Sequence, residues 1–207
     1  MIKKFSIIFL WVIHISGIIG IYLGYEDFFF PKSGGTLLYI LLLLVLWFPL
    51  KDLKFCLLFL GCAAAGIGVE WIGVHTGKLF GEYHYLDNMG YGLDGVPYLI
   101  GVNWAVLVFI THSMAQIILK SKYIVATVGA GLMVFIDFFL EQICEYAGFW
   151  TFSDGAGFYN YICWFIIAWF LHLVAFEVKL KGDAKIASHL YIVQIIFALS
   201  IWIIIST

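Results

Sequence analysis

The chain of 207 residues is 64% hydrophobic and only 12% charged, about half the charge that a water-soluble domain carries, which excludes a soluble domain of any size. All eleven basic residues are lysine and the net charge is −2. No nucleic-acid partner is therefore expected, and a phosphate clamp of guanidinium forks is excluded.

Apolar stretches long enough to span a bilayer recur along the whole sequence. They predict an all-α, polytopic membrane helix bundle, with residues 1–207 as a single transmembrane domain. Seven spans are expected, at roughly 5–24, 34–50, 53–74, 97–119, 122–144, 159–180 and 186–205. The first, behind the basic tip MIKK, is long and is followed by no A-x-A site, so it reads as an uncleaved span. The second, GGTLLYILLLLVLWFP, is short for a full crossing. The third and fifth carry the small-residue runs GCAAAGIG and VGAG, which suit close helix contact. With the N-terminus inside, nine lysines fall on inner loops and ends, and only Lys32 and Lys78 lie outside. That asymmetry obeys the positive-inside rule and predicts N-in, C-out, as expected in a cell (cytoplasmic) membrane. Inner connections are tight (KDLK, KSK, KLKGDAK), whereas the outer loops 75–96 and 145–158 are long and rich in glycine and aromatics. They suit a folded lid, because irregular backbone near the bilayer needs protein or water around it.

Depth along each helix follows from a rise of about 1.5 Å per residue. Counted from the inner lysines, Asp137 and Trp164 lie about 22 Å deep, and Glu70 and Trp104 about 24 Å. Asn103, Glu141 and Asn160 lie at about 26–28 Å in a core about 30 Å thick. Three carboxyls, two amides and two indoles from four helices thus share the outer third of the membrane. Asp137 and Glu141, four residues apart, project from one helix face. Two carboxyls close together in low dielectric cannot both ionise cheaply, so one of the group is expected to keep its proton, as a general acid requires. Helix tethering by hydrogen bonds or snorkelling explains any one of these residues; the convergence of all of them points to a site.

The remaining polar residues read more plainly. His14, His112 and His172 sit singly on apolar spans and suit hydrogen-bonded core positions. His75 and His84 beside Glu70 invite comparison with a metal site, but their spacing is not that of an i, i+4 helical pair, and no metal is expected. The four cysteines show no CxxC spacing and suit buried apolar positions, with Cys144 and Cys163 near enough in topology for a disulfide to be considered. Part of the 19% aromatic content is an interfacial belt; Trp104, Trp164, Tyr83 and Tyr85 are placed to do more.

The order EWIGVHTGKLFGEYHY, then GVP and NW, then DFFLE, GFWTF and NYICWF resembles the carotenoid biosynthesis membrane proteins of the CruF type. These include carotenoid 1,2-hydratases such as γ-carotene 1′,2′-hydratase and bisanhydrobacterioruberin hydratase. The resemblance spans about residues 60–180. It departs from the family in lacking a proline after the second acid motif, EQICEYAGFW, and a GVP-like step before Asn160, where the chain reads GAGFYN. By residue order it implies site positions at Glu70, Thr76, Tyr83, Tyr85, Asn103, Asp137, Glu141 and Asn160.

The implied reaction adds water across the terminal C1=C2 bond of an acyclic carotenoid end, as in lycopene or γ-carotene, with no cofactor. Asp137, the carboxyl farthest from the outer surface and nearest the bilayer centre, is the expected acid. Glu70 is expected to orient or deprotonate the water, held by Asn103 and Asn160, and Glu141 is able to replace either. Trp104 and Trp164 are expected to face the cation. Membrane lipid is the expected surrounding, with room for association with other carotenoid enzymes. An end-group cyclase or isomerase shares the first step and stays open at this stage. A proton-linked transporter would need polar residues through the full thickness, and the inner half reads as nearly bare. A retinal protein is excluded, since the last span has no internal lysine. Spans 3–4 and 5–6 echo each other, an acid rising and Asn and Trp descending, as in a parallel repeat about the membrane normal.

Overall fold

A computed structural model describes residues 1–207. Seven helices are long and apolar enough to cross a membrane, arranged as an all-α bundle. They are α1 (Ile2–Tyr22), α3 (Ser33–Trp47) with its lead-in, α4 (Leu53–Thr76), α5 (Tyr98–Ala115), α6 (Lys122–Glu141), α7 (Phe158–Glu177) and α8 (Ala184–Ser206). The second span is longer than the hydropathy suggests. A short helix α2 (Glu26–Phe29) and a 3-10 turn (Phe30–Lys32) run directly into α3, giving a continuous segment from Glu26 to Trp47. Pro31 is tolerated there because it sits in the first turn, where its missing N–H costs no helical bond.

Helix ends follow local chemistry. Asp52 caps α4 by accepting from the Lys54 amide at 3.0 Å, and Asp183 caps α8 by accepting from the Ile186 amide at 3.0 Å. Helix α4 stops at Gly77, whose φ of 63° is the left-handed conformation that glycine adopts without a steric penalty.

Helix α5 is the hub. Most of it is buried, whereas the other spans keep most of their surface free for lipid. It packs against α4, α6 and α8, and α6 packs along α7. Leu107, Phe109 and Ile110 of α5 and Met133 and Ile136 of α6 all belong to one buried apolar core. Ion pairs of Lys3 with Asp183 and of Lys122 with Glu177 place the starts of α1, α6 and α8 and the end of α7 at one end of the bundle.

The opposite end carries a small cap. Strand β1 (Tyr83–Tyr85) pairs antiparallel with β4 (Trp150–Phe152), matching Tyr83 with Phe152 and Tyr85 with Trp150. Between them a second ribbon, β2 (Gly92–Leu93) with β3 (Val96–Pro97), leads into α5. Leu86 and Asn88 donate backbone N–H groups to the carbonyls of Phe149 and Gly148, at 2.8 and 3.0 Å, tying the two long loops together. These hydrogen bonds satisfy part of the loop backbone within the protein. All four cysteines are free, so Cys144 and Cys163 form no disulfide.

Candidate functional site

Helix α4 presents Gly66, Glu70 and Gly73 at i, i+4 and i+7, along one face. The two glycines make room for what reaches Glu70. A Cβ on Gly66 would lie 2.6 Å from the Trp104 ring, and one on Gly73 would lie 2.6 Å from the Tyr83 hydroxyl. Trp104, from α5, donates its indole N–H to Glu70 Oε1 at 2.9 Å. The Tyr83 and Tyr85 hydroxyls, from β1, donate to Oε2 at 2.5 and 2.7 Å. Alternate residues of a strand share a face, which is why both tyrosines point down together. Burial first, and then the adjacent Glu70 charge, push both phenols up from their ordinary range, so they remain O–H donors.

The second half of the site stands on α6. Asp137 is 1% exposed, and Glu141 lies one turn beyond it. Asn160, from the first turn of α7, spans both, its Nδ2 lying 3.3 Å from Asp137 Oδ2 and 3.2 Å from Glu141 Oε1. Trp150, from β4, donates its indole N–H to Glu141 Oε2 at 3.0 Å, and the Cys144 thiol approaches the same oxygen at 3.6 Å. Asp137 has the Asn160 amide as its one hydrogen-bonding partner, the fewest of the three acids. Asn160 Oδ1 is buried and has no partner in the protein. A buried acceptor left in that state costs about 1–3 kcal/mol unless something donates to it.

Between the halves lies a small cavity of about 20 Å³, lined by Glu70, Asp137, Glu141, Asn103, Asn160, Tyr83, Tyr85 and Trp164. Apolar residues, among them Ile100, Leu107 and Leu140, complete the wall. Trp164 stacks on Trp104 with ring centroids 3.9 Å apart and planes 12° apart. Phe80 leans on both indoles, at 6.3 and 6.5 Å. It is a buried, non-glycine residue held at φ 67°, a conformation that costs roughly 1–2 kcal/mol.

The structure brings together every residue named from the sequence except Thr76. Thr76 is exposed at the end of α4, where its hydroxyl donates to the Ile72 carbonyl at 2.5 Å and accepts from the Lys78 amide at 3.1 Å. It finishes the helix and does not reach the cavity. Glu70 lines the cavity, and both its oxygens accept, one from Trp104 and the other from the two tyrosines. His75 stacks on Trp71, outside the cavity. Phe80 and Trp150 were missed. They sit in motifs visible in the chain, KLFGEY and GFWTF, but nothing in an aromatic-rich sequence separates them from belt residues.

The inner half is also less bare than it reads. The Nδ1 atoms of His112 and His172 lie 3.2 Å apart, and Thr111 and Gln116 reach the outer ring nitrogens of the pair at 3.2 and 3.1 Å. This network closes on itself in the core and is separate from the acid cavity.

Spanning helices that enclose carboxyls, amides and stacked indoles define an integral membrane protein with a polar site inside an otherwise apolar bundle. Residues 34–207 match the family described as carotenoid biosynthesis protein, and the chain belongs to that family. No curated protein and no solved structure matches it.

Proposed function

We propose that the protein is a carotenoid hydratase, adding water across the terminal C1=C2 double bond of an acyclic carotenoid end group. The observation that carries this reading is the unpartnered Asn160 Oδ1, buried beside two carboxyls and opposite an aromatic wall. An alkene needs an acid and a cation-stabilising face; a hydratase needs, in addition, a seat for water. Asn160 Oδ1 and Glu141 supply that seat.

Asp137, with the fewest hydrogen-bond donors, keeps its proton and gives it to C2, leaving a tertiary cation at C1. The Trp164 face, backed by Trp104, stabilises that cation, an effect worth about 2 kcal/mol in a desolvated site. A water held by Asn160 and Glu141 adds through oxygen to C1. Its surplus proton passes to a carboxylate and so restores the Asp137 acid, giving a tertiary alcohol. Glu70 acts at one remove, fixing Trp104, Tyr83 and Tyr85. An end-group cyclase would use the same protonation but then lose a proton to a base, and it has no use for a water seat.

Expression in cells that accumulate lycopene or γ-carotene, grown in isotopically labelled water, tests the reading. A pigment heavier by one water and carrying labelled oxygen is expected, and Asp137→Asn should reduce its formation by about 10²- to 10⁴-fold. An isomer of unchanged mass would replace hydration with cyclisation or isomerisation.

A further inference from the structure

A second, larger cavity adjoins the acid site. It is a groove of about 260 Å³ between α1, α3, α5 and α8. Ile13, Leu37, Ile40, Leu99 and Phe197 form its apolar wall. Four residues, Ile100, Asn103, Leu140 and Trp150, line both spaces. The two cavities therefore share a wall whose polar members are the Asn103 amide and the Trp150 indole, the same indole that donates to Glu141. No Asp or Glu lines the groove, whose titratable side chains are His14 and Lys32, so the carboxyl groups are confined to the small chamber.

We propose that this groove holds the body of an extended polyene, with its terminal isoprene unit at the Asn103–Trp150 wall, which parts to present that end to the acid chamber. The identity of the ligand rests on the hydratase reading; the groove and its shared wall do not. The proportions favour this arrangement. The chamber, at about 20 Å³, has room for about one water and not for a chain, while the groove, at about 260 Å³, is more than ten times larger and offers an apolar wall that gains about 25 cal/mol for each Å² of apolar surface buried. One end is processed at a time, and a second end requires the chain to withdraw and turn.

Lycopene is achiral and gives no circular dichroism in micelles; held on a protein, its visible band acquires one. The full-length protein, purified in detergent and mixed with lycopene, should show this induced band. Asp137→Asn should keep it. Leu37→Trp, which fills the groove, should lose it, and so should Ser33→Phe at the first turn of α3, an independent and partly exposed position that guards against a folding defect in the first variant. Far-UV dichroism checks that each variant is folded.

A wild-type band that survives both groove variants would overturn the proposal, as would the absence of any band with the wild-type protein, which would leave the groove to lipid acyl chains. Product formation is scored separately. A groove-dependent band without labelled alcohol sinks the hydratase reading and leaves the groove standing. Normal hydration by both groove variants does the reverse.

Discussion

At the scale of single residues, the three acids are distinguished by what donates to them. Glu70 has Trp104, Tyr83 and Tyr85; Glu141 has Trp150, Asn160 and a thiol; Asp137 shares one amide. A carboxyl that must give up and recover a proton in every turnover is best left with few fixed donors, whereas one that holds three side chains in place is best saturated. Glu70→Gln is therefore expected to slow hydration by roughly ten- to a hundredfold, the weight of a hydrogen bond to a charged group. The Tyr83→Phe, Tyr85→Phe double variant should fall by a similar factor, since it removes two of the same contacts. Steady-state rates on one pigment decide the matter. If Glu70→Gln falls as far as Asp137→Asn while the tyrosine variant stays active, Glu70 handles the water or proton itself. The acids, amides and indoles were legible in the sequence because polar groups are costly in hydrocarbon and helical rise converts position into depth. Their division of labour was not, because it depends on donors such as Trp150 that come from a distant loop.

At the scale of elements, α4 shows how a helix is shaped around a site. Gly66 and Gly73 flank Glu70 on one face and admit Trp104 and Tyr83, while Gly68 on another face has no side chain within 4 Å. Gly66→Ala should cost about 1–3 kcal/mol by overpacking against the Trp104 ring, and should lower turnover as the indole shifts. Gly68→Ala should stay within about 0.5 kcal/mol of the wild type and keep full turnover. Thermal unfolding in detergent, paired with product assays, distinguishes these outcomes; equal losses at both positions would mean that the helix, and not the fit to Trp104, is being disturbed. The small-residue run reads from sequence as helix contact, which is correct for the element but silent on what each glycine admits. The cap is harder to read. Strands of three residues are too short for a period-2 pattern to register, and β1 pairs with a segment two helices away. The second span shows the opposite difficulty, since Glu26, Asp27 and Pro31 interrupt its hydropathy although the backbone continues through them.

At the scale of the whole molecule, the echo between the α4–α5 and α6–α7 pairs takes a definite form. Each pair has an acid on its first helix, an asparagine near the start of its second, and an indole on that second helix; the two indoles stack on each other. Each first helix is followed by a strand whose aromatics donate to that helix's own acid, and the strands pair antiparallel. This is the pattern that a parallel repeat about an axis along the bundle would give, with three donors on Glu70 in one half and the Asp137–Glu141 pair in the other. The same arrangement fixes which end of the molecule holds the acid cavity. Lys3 and Lys122 pair with Asp183 and Glu177 at the end opposite the strand cap, and nine of the eleven lysines belong to that end by the count of spans. If the positive-inside rule holds, the lysine end faces the cytoplasm and the cap covers the acid cavity on the far side. A fluorescent-protein fusion at Met1 should then be bright. Alkaline phosphatase fused after Thr207, or inserted near Gly155 in the cap, should be active, because that enzyme matures only outside the cytoplasm. The reverse pattern would turn the bundle over, place Tyr83 and Tyr85 on the cytoplasmic side, and require the catalytic water to enter from there.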